Sequence, residues 1–405
     1  MAGGERLLRA GAQVDAVNEY GVTPLLLAST NGSARMIGAL LNAGADPNRT
    51  LPNGETPLMW AARAGRADAV SALLTRGARV DARERTMGQT ALMWAVALDH
   101  TDVAKTLLAH SADVNARSVS GFTPLMFAAR DGRLDTARVL VAAGANVNEA
   151  AGDGTGALLV ATVRGHAELA EFLLDRGADP TRADKRGFTP LHWAAGKWEN
   201  LQTYSYPNLP GEWGALLEVP RRRLELIKAL LAHGANPNAR LVASAPKFGS
   251  AISRGPSAGA TPFFVAATGA NLDSMRLLLA AGADPRIAAN DGRTPLMVAA
   301  GAGRAGDTRY TEDESLAVVT LLLDLGADVN AADAAGDTAL HAVAFLGYDR
   351  LLQFLVDRGA RVSPRNKKGE TPLRIAAGGT MISGMVQSGS PATAALLRTL
   401  GGTVD

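Results

Sequence analysis

The chain has 405 residues, 47% of them hydrophobic and 20% charged, which supplies ample core material and by length alone would suggest two or three domains. Lysine and arginine exceed aspartate and glutamate by two (41 against 39), so whole-chain electrostatics give little reason to expect nucleic acid, even with a pI near 9.0. The absence of cysteine excludes a disulfide framework, a thiolate nucleophile and a Cys-ligated zinc site, and no apolar run approaches membrane-spanning length.

From the N-terminus, Glu5 to Asp15 reads as a second helix and its Gly-Ala finger with no first helix before it, so residues 1–17 form a half repeat. Repeat stacks end in dedicated caps. Upstream sequence, such as a secretion signal, is therefore expected to precede Met1, and the sequence leaves the compartment unknown, with bacterial cytoplasm, or periplasm or secretion if such a signal was removed, as the alternatives.

From residue 18 to 405 one phrase recurs: Thr, usually Pro, then Leu, with a Gly about nine residues on and Gly-Ala-Asp/Asn about twelve further. The Thr positions are Thr23, Thr56, Thr90, Thr123, Thr189, Thr261, Thr294, Thr338 and Thr371, with Gly156 standing in one place. Successive differences are 33, 34, 33, 33, 33, 72, 33, 44 and 33, so two steps equal one repeat plus 39 or 11 residues. About ten repeats therefore organise a single solenoid.

Each recurring residue has a physical task. Thr56 caps a helix by accepting a backbone N–H, and Pro57 occupies the first helical position, where a missing donor costs nothing. Leu58, Ala61 and Ala62 face inward, Gly65 closes the helix, and Val70, Leu73 and Leu74 give a second helix its apolar stripe. Gly77 takes the left-handed position after it, and Ala78 to Gly88 reads as an extended finger with a turn.

These residues resemble the ankyrin repeat, most plainly Asn-Gly-Glu-Thr-Pro-Leu-Met-Trp-Ala-Ala-Arg-Ala-Gly at 53–65 and Lys-Arg-Gly-Phe-Thr-Pro-Leu-His-Trp-Ala-Ala at 185–195. The resemblance covers essentially all of the chain outside four insertions. It implies an all-α repeat solenoid of helix-turn-helix units with hairpin or loop fingers, built to bind macromolecules by surface contact. Gly156-Ala157-Leu158 lacks both cap and Pro, Ala91 and Ala339 replace Pro, and Ser111 takes the left-handed position at roughly 1 kcal/mol. Met59, Met93, Met126 and Met297 replace the family's His, which survives at His192 and His341.

Four residues after each Thr comes a column on the first helix, the one lining the concave side in ankyrin stacks: Leu27, Trp60, Trp94, Phe127, Val160, Trp193, Val265, Val298, Ala342 and Ile375. Inter-repeat packing is the plain account of the large aromatics there, and a ligand platform is the sharper one. Toward the end of the same helices lie Arg63, Arg130, Asp131, Arg164 and Lys197. With the finger residues Lys185, Arg186, Arg293, Lys367 and Lys368 they suggest a basic groove for an acidic or extended partner, or a row of solvated helix ends.

The insertions fall near 197–223, 240–259, 304–315 and 378–391. The first holds Trp198, Tyr204, Tyr206 and Trp213; disordered linkers are poor in aromatics, so it is expected to fold against the body beside Trp193. The second reads as a mobile finger tip.

No catalytic or metal-binding constellation is found, and no cofactor is implied. All six histidines fall on repeat positions. Gly301-Ala302-Gly303-Arg304-Ala305-Gly306 spells a dinucleotide fingerprint but follows a helix and arises from the repeat itself. The wording, rich in Ala, Gly and Arg, resembles bacterial ankyrin proteins. The expected function is a non-catalytic scaffold that engages a protein partner through Trp60, Arg63, Trp94, Phe127, Arg130, Arg164, Lys185, Arg186, Phe188, Trp193 and Lys197. The alternatives are a small-molecule or carbohydrate site, conceivably enzymatic, formed by the 197–223 insertion, or an accessory module of a larger bacterial complex.

Overall fold

The computed structural model describes residues 2–196, 223–244, 256–302, 311–378, 381–382, 385–386 and 389–404. They belong to two compact units, Met1–Asp179 and Pro180–Asp405.

The first unit opens with α1 (Ala2–Arg9). Five helix pairs follow: α2 (Pro24–Thr30) with α3 (Ala34–Asn42), α4 (Pro57–Arg63) with α5 (Ala67–Leu74), α6 (Ala91–Ala97) with α7 (Thr101–Ala109), α8 (Pro124–Asp131) with α9 (Leu134–Ala142), and α10 (Ala157–Val163) with α11 (Ala167–Asp175). First helices pack on first helices and second on second in chain order, with α1 against α3. Within the second unit the pairs are α12 (Pro190–Ala195) and α13 (Arg223–Ala232), α14 (Pro262–Thr268) and α15 (Leu272–Ala280), α16 (Pro295–Ala299) and α17 (Glu312–Asp324), α18 (Ala339–Leu346) and α19 (Asp349–Asp357), and α20 (Pro372–Ala377) and α21 (Pro391–Thr399). Both units are all-α repeat stacks.

A helix of seven residues such as α4 is too short to persist alone in water, so caps and packing must hold it. The Thr56 hydroxyl oxygen accepts the Met59 N–H at 3.2 Å, and Pro57 begins the helix. Thr23, Thr90, Thr123, Thr189, Thr261, Thr294 and Thr371 cap their helices in the same way. Gly156 has no side chain to offer, but α10 is buried at all seven positions, and that burial does the work of the cap. Ala61 and Ala62 are fully buried, and their small side chains let neighbouring first helices approach closely. Second helices add Val70, Leu73, Leu107, Leu140 and Leu173 to the core, each fully buried.

A recurrent asparagine joins repeats. Asn48 Nδ2 donates to the Gly77 carbonyl at 2.9 Å, and its Oδ1 accepts the Arg79 N–H at 2.7 Å. Asn115 and Asn148 in the first unit, and Asn238 and Asn330 in the second, donate likewise to Gly144, Gly177, Gly282 and Gly359. One side chain thus satisfies the orphan groups at the end of the next repeat's helix.

The fingers are turns held by few bonds and carry no long strand ladder. Leu51 N–H reaches Glu55 O at 2.9 Å within one finger, and Arg85 N–H reaches Asn53 O at 2.8 Å between fingers. Among the described residues the strand pair is β1 (Met381–Ile382) with β2 (Met385–Val386), antiparallel, in the segment between α20 and α21. Turn carboxylates replace the missing ladder: buried Glu84 accepts N–H groups from Thr86, Met87 and Gln89 at 2.6–2.8 Å. Burial pushes its pKa up, but these bonds outweigh that and hold it below the usual carboxylate value.

Candidate functional site

The first unit gathers most of the aromatic column. In α4 and α6 the rings of Trp60 and Trp94 meet edge to face, with centroids 6.2 Å apart and planes at 73°. Trp60 is fixed from the finger side, where its Nε1–H donates to Glu55 Oε2 at 3.0 Å. Both indoles are half-buried.

Arg63 lies one turn beyond Trp60 on α4, which brings its guanidinium over both rings, at 5.2 Å from the Trp60 centroid and 5.9 Å from that of Trp94. The Arg63 side chain is exposed, while its carbonyl accepts a hydrogen bond from His100 Nε2 at 3.0 Å. Gly65 makes room for that ring: with φ at +73°, a Cβ there would lie 2.6 Å from His100 Cε1.

Two repeats on, α8 presents a different arrangement. Phe127 is 2% exposed, so its ring is a floor and takes no direct part in a surface contact. Arg130 lies over it at 4.9 Å and pairs with Asp131 through two hydrogen bonds, Nε to Oδ1 at 3.1 Å and Nη2 to Oδ2 at 3.0 Å. Arg164, from the following repeat, donates Nε–H to the Arg130 carbonyl at 3.1 Å, where His166 Nε2 also binds at 3.2 Å. Burial pulls the Arg164 pKa below the ordinary guanidinium value and Asp131 opposes this, so the group stays cationic.

In the second unit Phe188 is 1% exposed and likewise belongs to the core, its ring centroid 5.2 Å from that of half-buried Trp193 with the planes tilted by 38°. Lys185 is exposed at the finger tip, whereas Arg186 is half-buried and donates to the Ser244 carbonyl at 3.2 Å. Arg293, read as part of the basic surface, is instead 6% exposed, ion-paired to Asp291 at 2.8 Å and bonded to Ser257 at 3.0 Å. It braces a turn. Lys367 and Lys368 are exposed. Lys197, Trp198, Tyr204, Tyr206 and Trp213 lie outside the described residues, as does the 303–306 part of the glycine-rich run.

The aromatic column is therefore not uniform: Trp60, Trp94 and Trp193 keep a surface, while Phe127, Val160, Val265 and Val298 are core. Sequence inspection passed over Glu55 as the anchor of Trp60 and over the second-helix histidines that clamp the Arg63 and Arg130 carbonyls. The signal was present in the recurrence of a histidine about one repeat after a helix-closing glycine, His100 after Gly65 by 35 residues and His166 after Gly132 by 34. Among the described residues no three His, Asp or Glu side chains converge as metal ligands would, and no helix is long and apolar enough to cross a membrane.

A family profile described as ankyrin repeats (3 copies) matches residues 4–84, 80–151, 143–205, 216–310 and 309–388. Human "Ankyrin repeat and KH domain-containing protein 1" is 43% identical over 98 residues, which is 24% of this chain and 3% of that protein. Human "Ankyrin repeat domain-containing protein 17" is 44% identical over 86 residues, 21% of this chain and 3% of that protein. The Drosophila melanogaster "Ankyrin repeat and KH domain-containing protein mask" is 42% identical over 99 residues, 24% of this chain and 2% of that protein. The chain thus spans 2–3% of the length of these relatives. All three are eukaryotic and do not bear on the bacterial wording read from composition.

Proposed function

The chain belongs to the ankyrin repeat family, whose repeats are generally protein–protein interaction modules, and on that premise we propose that it is a non-catalytic scaffold binding a protein partner on its first-helix face. The observation that carries this is the Trp60–Trp94–Arg63 cluster. Two half-buried indoles and an exposed guanidinium, pre-set by Glu55 and His100, form a rigid amphipathic contact of the kind that dominates protein interfaces. Partner recognition by protein, rather than by nucleic acid, fits the local charge. Glu55 and Asp131 stand among Arg63, Arg130 and Arg164 of the candidate site and leave a small positive excess.

Affinity capture from a lysate and secreted fraction tests the reading, with wild type compared against a Trp60→Ala/Arg130→Ala/Trp193→Ala variant of verified fold. A partner retained by wild type and lost by the variant is the expected result. Equal capture would overturn the first-helix face and redirect attention to the 197–223 and 240–259 insertions.

A further inference from the structure

We propose that Arg63, seated on Trp60 and Trp94, is a receptor for a single carboxylate, an Asp or Glu side chain carried by an extended segment of the partner. This rests on the first-helix face being the binding surface and adds the chemistry of what is bound there.

The argument begins from how Arg63 differs from its neighbours. Arg66, Arg117, Arg130, Arg133 and Arg138 each pair with a carboxylate of their own unit, and Arg76, Arg83 and Arg85 donate to an amide or backbone carbonyl oxygen. Among the described residues no carboxylate pairs with Arg63. Its guanidinium carbon lies 5.2 Å from the Trp60 ring centroid and 5.9 Å from that of Trp94, a cation–π contact that uses none of its N–H groups. A planar fork with its donors unspent and its position fixed matches a carboxylate edge bidentately. The usual entropic cost of ordering an arginine is already met, because Glu55 orients Trp60, Trp94 braces it, and His100 grips the Arg63 carbonyl.

The same geometry decides against two other ligands. A methylated ammonium group needs an open aromatic face, and Arg63 already covers the two indoles. A nucleic-acid strand brings a phosphate with each nucleotide, whereas Glu55 at the Trp60 edge and Asp131 beside Arg130 would repel successive phosphates. A single carboxylate on Arg63 meets that repulsion once and not along its whole length.

The test uses the full chain and a capped, amidated peptide of about ten residues, glycine and serine with a single central Glu, long enough when extended to cross two repeats. Its Gln counterpart and a version bearing one trimethyl-lysine serve as comparisons. Binding is read from the indole N–H signals of Trp60 and Trp94, assigned by Trp→Phe variants, and from anisotropy titrations. The expected result is that the Glu peptide shifts both indole signals and that Arg63→Gln weakens it about tenfold. Arg276→Gln, which removes the same charge from α15 of the second unit, should leave affinity unchanged. Equal binding of the Gln peptide, equal weakening by Arg63→Gln and Arg276→Gln, or preferential binding of the trimethyl-lysine peptide would each overturn the proposal. A captured partner that is lost by the Trp60/Arg130/Trp193 variant yet retained by Arg63→Gln would remove the carboxylate receptor and leave the binding face standing.

Discussion

His192 Nε2 lies 3.3 Å from the carbonyl oxygen of Ala260, 68 residues away, while its Nδ1 accepts the Thr189 N–H at 3.2 Å. The Nδ1 contact leaves the ring proton on Nε2, so one neutral imidazole caps its own helix and ties it to the next repeat.

That arrangement makes stability depend on pH. Burial lowers the His192 pKa to about 4, against about 6.5 in an unfolded chain. Between those values the unfolded state binds more protons, so stability is complete above about pH 6.5 and falls as pH drops toward 4. At pH 5 the loss should be about 2 kcal/mol relative to pH 7. His192→Met copies the residue found at Met59, Met93, Met126 and Met297 and should remove that component. Urea midpoints at the two pH values check it. His341, also lowered chiefly by burial, will leave a residual dependence in the variant.

The Asn-to-Gly link between repeats is interrupted twice in the first unit, at Asp15 and at Asp81, each of which accepts a backbone N–H from the next repeat. Asp81 Oδ1 still accepts the Asp113 N–H at 2.9 Å, but a carboxylate has no hydrogen to donate to the next repeat, where Ser111 holds φ at +65° in place of Gly. Ser111→Gly should stabilise by about 1 kcal/mol, and Asp81→Asn should add about 0.5 to 1 kcal/mol by restoring the donor. Thermal or urea unfolding of the single and double variants measures both.

Much of this was legible in the sequence, because Thr caps, Pro at the first helical position and left-handed Gly act locally and recur at fixed spacing. Thr56, Pro57, Gly65 and Gly77 do in the structure what their types dictate. Exposure within a column was not legible. Trp60 and Phe127 occupy equivalent positions, yet one keeps a surface and the other is covered, since the outcome depends on ring size and on what neighbouring repeats place above it. The basic finger surface failed in part for a similar reason: Arg293 has its acid two residues away in Asp291, and the pair is spent on the turn.

Gly65 and Gly77 separate backbone strain from crowding. Both have positive φ, +73° and +85°, but a Cβ at Gly77 meets nothing within 4 Å while one at Gly65 meets the His100 ring at 2.6 Å. Gly77→Ala should cost about 1 kcal/mol. Gly65→Ala should cost at least about 2 kcal/mol, because His100 must also leave the Arg63 carbonyl. Chemical denaturation of the two variants, with equal costs counting against the His100 contact, decides the point.

Leu173 is fully buried in α11, so Leu173→Ala should destabilise by about 2 to 5 kcal/mol. A change below about 0.5 kcal/mol in the unfolding free energy would contradict its place in the core.

The central claim is that partner contact occurs on the first-helix face of the first unit. Photo-crosslinking tests it most directly, with a benzophenone side chain placed at Leu27 on α2 or at Lys105 on α7, both exposed positions on opposite members of the helix pairs. The account predicts that a partner in the lysate crosslinks from position 27 and not from 105. Crosslinking from 105 with none from 27 would contradict it.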